Sequence, residues 1–129
     1  MAEKTGRGPI ARFLLGFAYA LRGLWYALRT QRNARVHLAC ALAVTLAGVL
    51  LRLSASEFAM LYIAIAGVFI AEMFNTVIEL CVDLASPEYH PLAGRAKDVA
   101  AGAVLLSALL AVVIGVLVLG PHVWALLAR

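Results

Sequence analysis

Three long apolar runs, Val36 to Leu51, Phe58 to about Val82 and Val99 to Leu119, set within expected spans 36–53, 57–83 and 97–120, leave this chain few ways to fold. Each approaches the roughly 20 apolar residues that a helix needs to cross a bilayer core. Composition points the same way, since 64% of the 129 residues are hydrophobic and only 14% are charged. A soluble fold of this size exposes too much of its surface to hide that share of apolar side chains. The expected class is all-α integral membrane, a single domain over 1–129 with three transmembrane helices.

A further helix is expected before the first run. In residues 9–30, Phe13, Leu14, Phe17, Leu21, Leu24, Trp25 and Leu28 share one helical face, and Arg12, Arg22 and Arg29 lie on the other beside Tyr19 and Tyr26. Such an amphipathic helix rests at the membrane surface, with its arginines near lipid phosphates. No cleavable leader is read here, because Arg22, Arg29, Arg32 and Arg35 interrupt the apolar residues that follow the basic start. The first connection, RLSASE at 52–57, suits a tight helical hairpin with Glu57 placed to cap the next helix. The second, LASPEYHPLAGRAKD at 84–98, reads as a longer polar loop that Pro87 and Pro91 keep from being a simple helix. Ala93, Ala96, Ala100 and Gly102 or Ala103 form a small-residue face, where membrane helices can approach closely.

Charge sets the expected orientation. Seven of the eleven basic residues (Lys4, Arg7, Arg12, Arg22, Arg29, Arg32, Arg35) precede the first run, and Arg95 and Lys97 sit between the second and third. Arg52 and Arg129 fall on the other side. The positive-inside rule then places the N-terminus and second connection in the cytoplasm and the C-terminus outside. This asymmetry accounts for much of the net charge of +4 and suggests anionic lipid, with no call for nucleic acid. Cys40 and Cys81 have no metal spacing and read as buried apolar residues. His37, His122 and Trp124 read as interfacial residues, and Tyr62 as packing.

The second run carries an anomaly. Glu72, Asn75, Thr76, Glu79 and Asp83 fall within twelve residues of it. With Glu72 set at zero on a helix, the others lie at about 300°, 40°, 340° and 20°. One face therefore bears a polar stripe about 16 Å long. A lone carboxylate in a bilayer costs several kcal/mol, and three aligned acids repel one another. A divalent cation, a bound cationic group or a proton would relieve both costs. Oxygens from the acids and Asn75 suit Mg²⁺, and a desolvated Glu at the deep end is a candidate base. Pairing with arginines of neighbouring helices is the structural alternative. An ion pathway is disfavoured because the stripe ends midway and the other two runs carry no matching acids.

His90, Arg95, Lys97 and Asp98 follow on the same side, and Arg95 and Lys97 suit phosphate oxygens. A solvated loop touching lipid phosphates is the simpler reading of these four alone. Together with the stripe they suggest phosphoryl transfer to a lipid head group. No Walker A sequence and no kinase glycine-rich loop is present.

The series Glu72-x-x-Asn75-Thr76-x-Ile78-Glu79-x-x-Val82-Asp83, then Glu88-Tyr89-His90 and Gly94-Arg95-Ala96-Lys97-Asp98, resembles the prokaryotic diacylglycerol kinase and undecaprenol kinase family of small membrane lipid kinases. The resemblance covers nearly the whole chain. It implies a homotrimer with shared active sites, using ATP and Mg²⁺ at the cytoplasmic face of the bacterial inner membrane. It implies Glu72 as catalytic base in contact with the lipid and Glu79 as metal ligand. Asn75, Asp83, His90, Arg95, Lys97 and Asp98 would serve the nucleotide. On the surface helix, Arg12 and Tyr19 match nucleotide positions and Arg22 a lipid position. Gln31 stands where the family often has a second acidic metal ligand, so it offers an oxygen without a charge. The segment Gln31-Arg32-Asn33 with Arg35 and His37 is more similar to the undecaprenol kinases, which makes undecaprenol the expected acceptor and diacylglycerol the alternative. A catalytically silent assembly protein is a third reading, for which position 31 is the support.

Overall fold

The computed structural model describes residues 8–128 except Tyr89; Lys4, Arg7, Tyr89 and Arg129 therefore lie outside the described residues. Four helices follow one another: α1 (Pro9–Thr30), α2 (Arg32–Leu50), α3 (Ala55–Ala85) and α4 (Pro91–Leu127). The last three are long and apolar enough to cross a membrane. At 1.5 Å per residue, α2 is about 28 Å long, close to the hydrocarbon thickness, whereas α3 and α4 reach about 46 and 56 Å. The two longer helices must therefore tilt or project beyond the hydrocarbon.

Local chemistry explains where the helices stop. A single extended residue, Gln31 (φ −92°, ψ 119°), separates α1 from α2 and serves as the cap of both. Its N–H still bonds Ala27 O at 2.8 Å, so the chain turns a corner without losing a backbone partner. At the other end of α2, Arg52 N–H meets Val49 O and Leu53 N–H meets Gly48 O, at 3.1 and 3.0 Å. This is a Schellman ending, with Arg52 in the left-handed region at φ 56° where glycine is usual. Ser54 follows at once as N-cap of α3, in a capping box with Glu57. Two consecutive caps make the hairpin at 52–57 tight. Glu57 also reaches His122 on α4, Oε1 to Nε2 at 2.7 Å, so His122 ties two helices together rather than standing alone as an interfacial anchor.

The second connection is shorter than the polar run suggested. The helix α3 runs on to Ala85, and α4 opens with Pro91 at its first turn and His90 as N-cap, whose Nδ1 accepts from Leu92 N–H at 3.2 Å. Arg95, Lys97 and Asp98 thus belong to α4, not to a loop. Polarity there signals the end of the hydrocarbon, not the end of the helix, and Pro at the first helical position is favourable. Near its far end α4 contains Pro121, which lacks the N–H that Leu117 O would otherwise accept.

The helix α3 packs most extensively on α4. Leu53, Leu61 and Val118 form an apolar cluster at the hairpin end, with Val44, Phe58, Ile114 and Leu119 against it. Phe58 and Tyr62 stack there at 5.9 Å. Gly48 is what lets this end close, because a Cβ at that position would lie 2.9 Å from both Leu53 Cδ1 and Phe58 Cε1. Gly48→Val is expected to lower stability by about 2 kcal/mol through overpacking, read as a lower Tm in detergent. An unchanged Tm would mean that Leu53 and Phe58 shift freely. Most large apolar side chains of the described chain face outward, as lipid or another chain would require. Cys40 and Cys81 are among the outward-facing residues, both free and exposed rather than buried, because they lie off the inward faces of α2 and α3.

Candidate active site

Leu61, Val68, Glu72, Asn75 and Thr76 are the buried residues of α3. Their spacing of three, four and seven puts them on one helical face. The inward face of α3 is therefore apolar toward the hairpin and polar toward the other end. Buried arginines do not neutralise this polar half: the ion pairs among the described residues are Lys97–Asp83 and His122–Glu57.

Glu72 is 1% exposed, and neither carboxylate oxygen has a hydrogen-bond partner. Its backbone carbonyl accepts from Thr76 Oγ1 at 2.9 Å, which anchors the turn but leaves the carboxylate untouched. Glu79 stands in a different setting. Gln31 Nε2 donates to its Oε2 at 3.1 Å, and Asn75 Nδ2 donates to its Oε1 at 3.0 Å. The corner between α1 and α2 thus delivers Gln31 to Glu79, across 48 residues of sequence. With its NH₂ so engaged, Asn75 keeps a buried Oδ1 without a partner.

One cleft of about 310 Å³ joins these groups. From α3 it is lined by Glu72, Asn75 and Glu79, and from α2 by Asn33, Val36 and His37. The α4 wall is apolar, made by Ala101, Val104, Leu105 and Ala108. Asn33 and His37 line the cleft although the sequence gives them no site role, only a part in the resemblance to undecaprenol kinases. Their signal is present in the sequence, since 33, 36 and 37 share a face of α2. His37 belongs to the cleft and not merely to the membrane interface.

Asp83, one turn beyond Glu79, is exposed and pairs with Lys97 Nζ at 2.5 Å. With side chains 39% and 66% exposed, this pair is worth no more than about 1 kcal/mol. It is easily opened for another anion. Arg95 and Asp98 are exposed on the same opening turns of α4, where their side chains make no hydrogen bond or ion pair with a described residue. On α1, Arg22 covers the Tyr19 ring at 4.7 Å, and Arg12 is exposed. None of Arg12, Tyr19 and Arg22 lines the cleft, nor do His90, Arg95, Lys97 and Asp98. The structure therefore brings Gln31, Glu72, Asn75 and Glu79 together, sets Asp83 and Lys97 beside each other beyond them, and places the other named residues off the cleft.

The oxygen donors suit a hard cation. Among the described residues no three His, Cys, Asp or Glu cluster as a complete metal cage. Mg²⁺ needs none, since one or two carboxylates with phosphate oxygens and water suffice. Glu79 could supply such a carboxylate, and the unpartnered Asn75 Oδ1 a neutral donor.

Residues 18–119 match the family described as prokaryotic diacylglycerol kinase. An undecaprenol kinase of Bacillus subtilis (strain 168) is 43% identical over 121 residues, covering 94% of this chain and 98% of that protein. A diacylglycerol kinase of Synechocystis is 45% identical over 115 residues, covering 88% of this chain and 66% of the relative. The diacylglycerol kinase of Escherichia coli (strain K12) is 44% identical over 55 residues, 43% of this chain and 45% of the relative. A polar, carboxylate-bearing cleft inside a bundle of membrane-length helices is thus found in a chain that, by matches over most of its length, belongs to the prokaryotic diacylglycerol kinase family of membrane lipid kinases.

Proposed function

We propose that this chain transfers the γ-phosphoryl group of ATP to the hydroxyl of undecaprenol, with Glu72 as general base. The observation that carries this reading is the buried, unpartnered carboxylate of Glu72 in a cleft beside a second, clamped carboxylate. A carboxylate without partners is a strong proton acceptor for an alcohol placed against it. As the alcohol loses its proton to Glu72, its oxygen bonds to the γ-phosphorus, and the bond to the β–γ bridging oxygen breaks with ADP leaving. Glu79, with oxygens from Asn75 and Gln31, would hold Mg²⁺, which supplies charge neutralisation for the phosphate oxygens. Lys97 would leave Asp83 for the nucleotide phosphates, an exchange that its weak exposed pairing permits. Asp83, Arg95 and Asp98 would help place the nucleotide at that end. His90, which caps α4, would hold the helix start on which they stand.

Assembly would complete this arrangement. Residues Arg12, Tyr19 and Arg22 would finish the nucleotide and lipid sites from α1 lying at the membrane surface. A homotrimer would cover much of the outward apolar surface and close sites that one three-span chain leaves open. The N-terminus and the cleft's polar end would face the cytoplasm of a bacterial cell, and the C-terminus the outside, as the charge asymmetry favours. Undecaprenol is preferred because the relative matched from end to end carries that name. The Synechocystis match supports diacylglycerol as the second reading.

The direct test is transfer of labelled γ-phosphate from MgATP by the purified protein in mixed micelles, offered undecaprenol and diacylglycerol in parallel. Label on undecaprenol at least tenfold above diacylglycerol is the expected result. The reverse ranking would reassign the acceptor, and no label on either from intact protein would overturn the reading.

A further inference from the structure

The transfer reaction leaves His37 without a role. This residue lines the cleft from α2, one turn beyond Asn33, and Glu72 lines the same cleft from α3. Yet no hydrogen bond joins them, because both Glu72 oxygens lack a partner. Nor does the His37 ring hydrogen-bond any other described residue. Two polar groups thus line one cleft with no hydrogen bond bridging the gap between them, and apolar α4 residues form its third wall. Leaving the buried Glu72 carboxylate unbonded beside the half-buried imidazole is unfavourable unless something polar enters the cleft.

An alcohol has the valences for that gap. Its hydrogen can go to Glu72, one oxygen lone pair can accept from a ring N–H of His37, and the second lone pair remains for phosphorus. The attached hydrocarbon would run along Ala101, Val104 and Leu105 of α4. We infer that His37 positions the acceptor lipid, holding its hydroxyl oxygen by a hydrogen bond opposite Glu72. This rests on Glu72 being the base. Orientation by two groups from different helices limits the hydroxyl to one approach, which is where positioning contributes to rate.

The test compares His37→Leu and His37→Gln with the parent protein in mixed micelles, measuring kcat, KM for the lipid, KM for ATP and Tm. Leu keeps bulk but no donor, whereas the Gln side-chain NH₂ reaches nearly as far as the imidazole Nε2. His37→Leu should lower kcat/KM for the lipid at least tenfold with KM for ATP within twofold, and His37→Gln should return to within threefold of the parent. The inference is overturned by a Leu variant within twofold of the parent, or by equal losses in both variants with a falling Tm, which would make His37 a packing residue. Failure of the underlying reading looks different: a Glu72 variant would retain transfer while His37 stayed intact, and the inference would fall with it.

Discussion

A Glu72→Met variant is expected to lose lipid phosphorylation by at least about a hundredfold and yet to resist unfolding better than the parent. Both effects arise from one feature. The carboxylate is wholly buried, and neither oxygen has a partner. Methionine has a similar length, needs no hydrogen bond and fills irregular apolar space well. Removing an uncompensated buried polar group should therefore stabilise the fold, on the order of 2 kcal/mol. Removing the proton acceptor should abolish most of the rate. Activity and Tm measured on the same preparation check both halves. A variant that loses activity because it unfolds more readily would contradict the role given to Glu72, as would one that remains active.

The second large effect is expected at Glu79. Glu79→Gln should lower transfer by about a hundredfold at low divalent cation concentration, with partial recovery as the cation is raised. The fold should hardly change. In the parent, one carboxamide donates to each Glu79 oxygen. In the variant one of those contacts meets an NH₂ instead, which costs no more than about 1–3 kcal/mol. Gln31 carries no charge, so Glu79 is the single carboxylate of this pair and its loss leaves only neutral oxygens. Transfer rates over a Mg²⁺ or Mn²⁺ series give the answer. An unchanged half-saturating cation concentration would remove Glu79 from the cation site.

Much of the candidate site is legible in the sequence. Period 3.6 places Glu72, Asn75, Thr76 and Glu79 on one face, because helical geometry within one element is local. What helix period does not reveal is which way that face points. Only packing turns it inward and then treats its members differently, leaving Glu72 unpartnered, clamping Glu79 between amides and giving Asp83 to Lys97. The polar stretch before residue 98 misleads for a related reason. Hydropathy marks where hydrocarbon ends, and a helix with Pro91 at its start can run on into water.

By itself the sequence determined the membrane class, the helical character and the order of the spans, since bilayer thickness and backbone hydrogen bonding leave a long apolar run few alternatives. It also carried the tight hairpin, whose capping residues act within a few positions of one another. The tertiary structure alone decided that Gln31 meets Glu79, that His37 lines one cleft with Glu72 and that His122 clips Glu57. Those partners lie far apart along the chain. Their meeting depends on how α2, α3 and α4 rotate and pack, which no local pattern encodes.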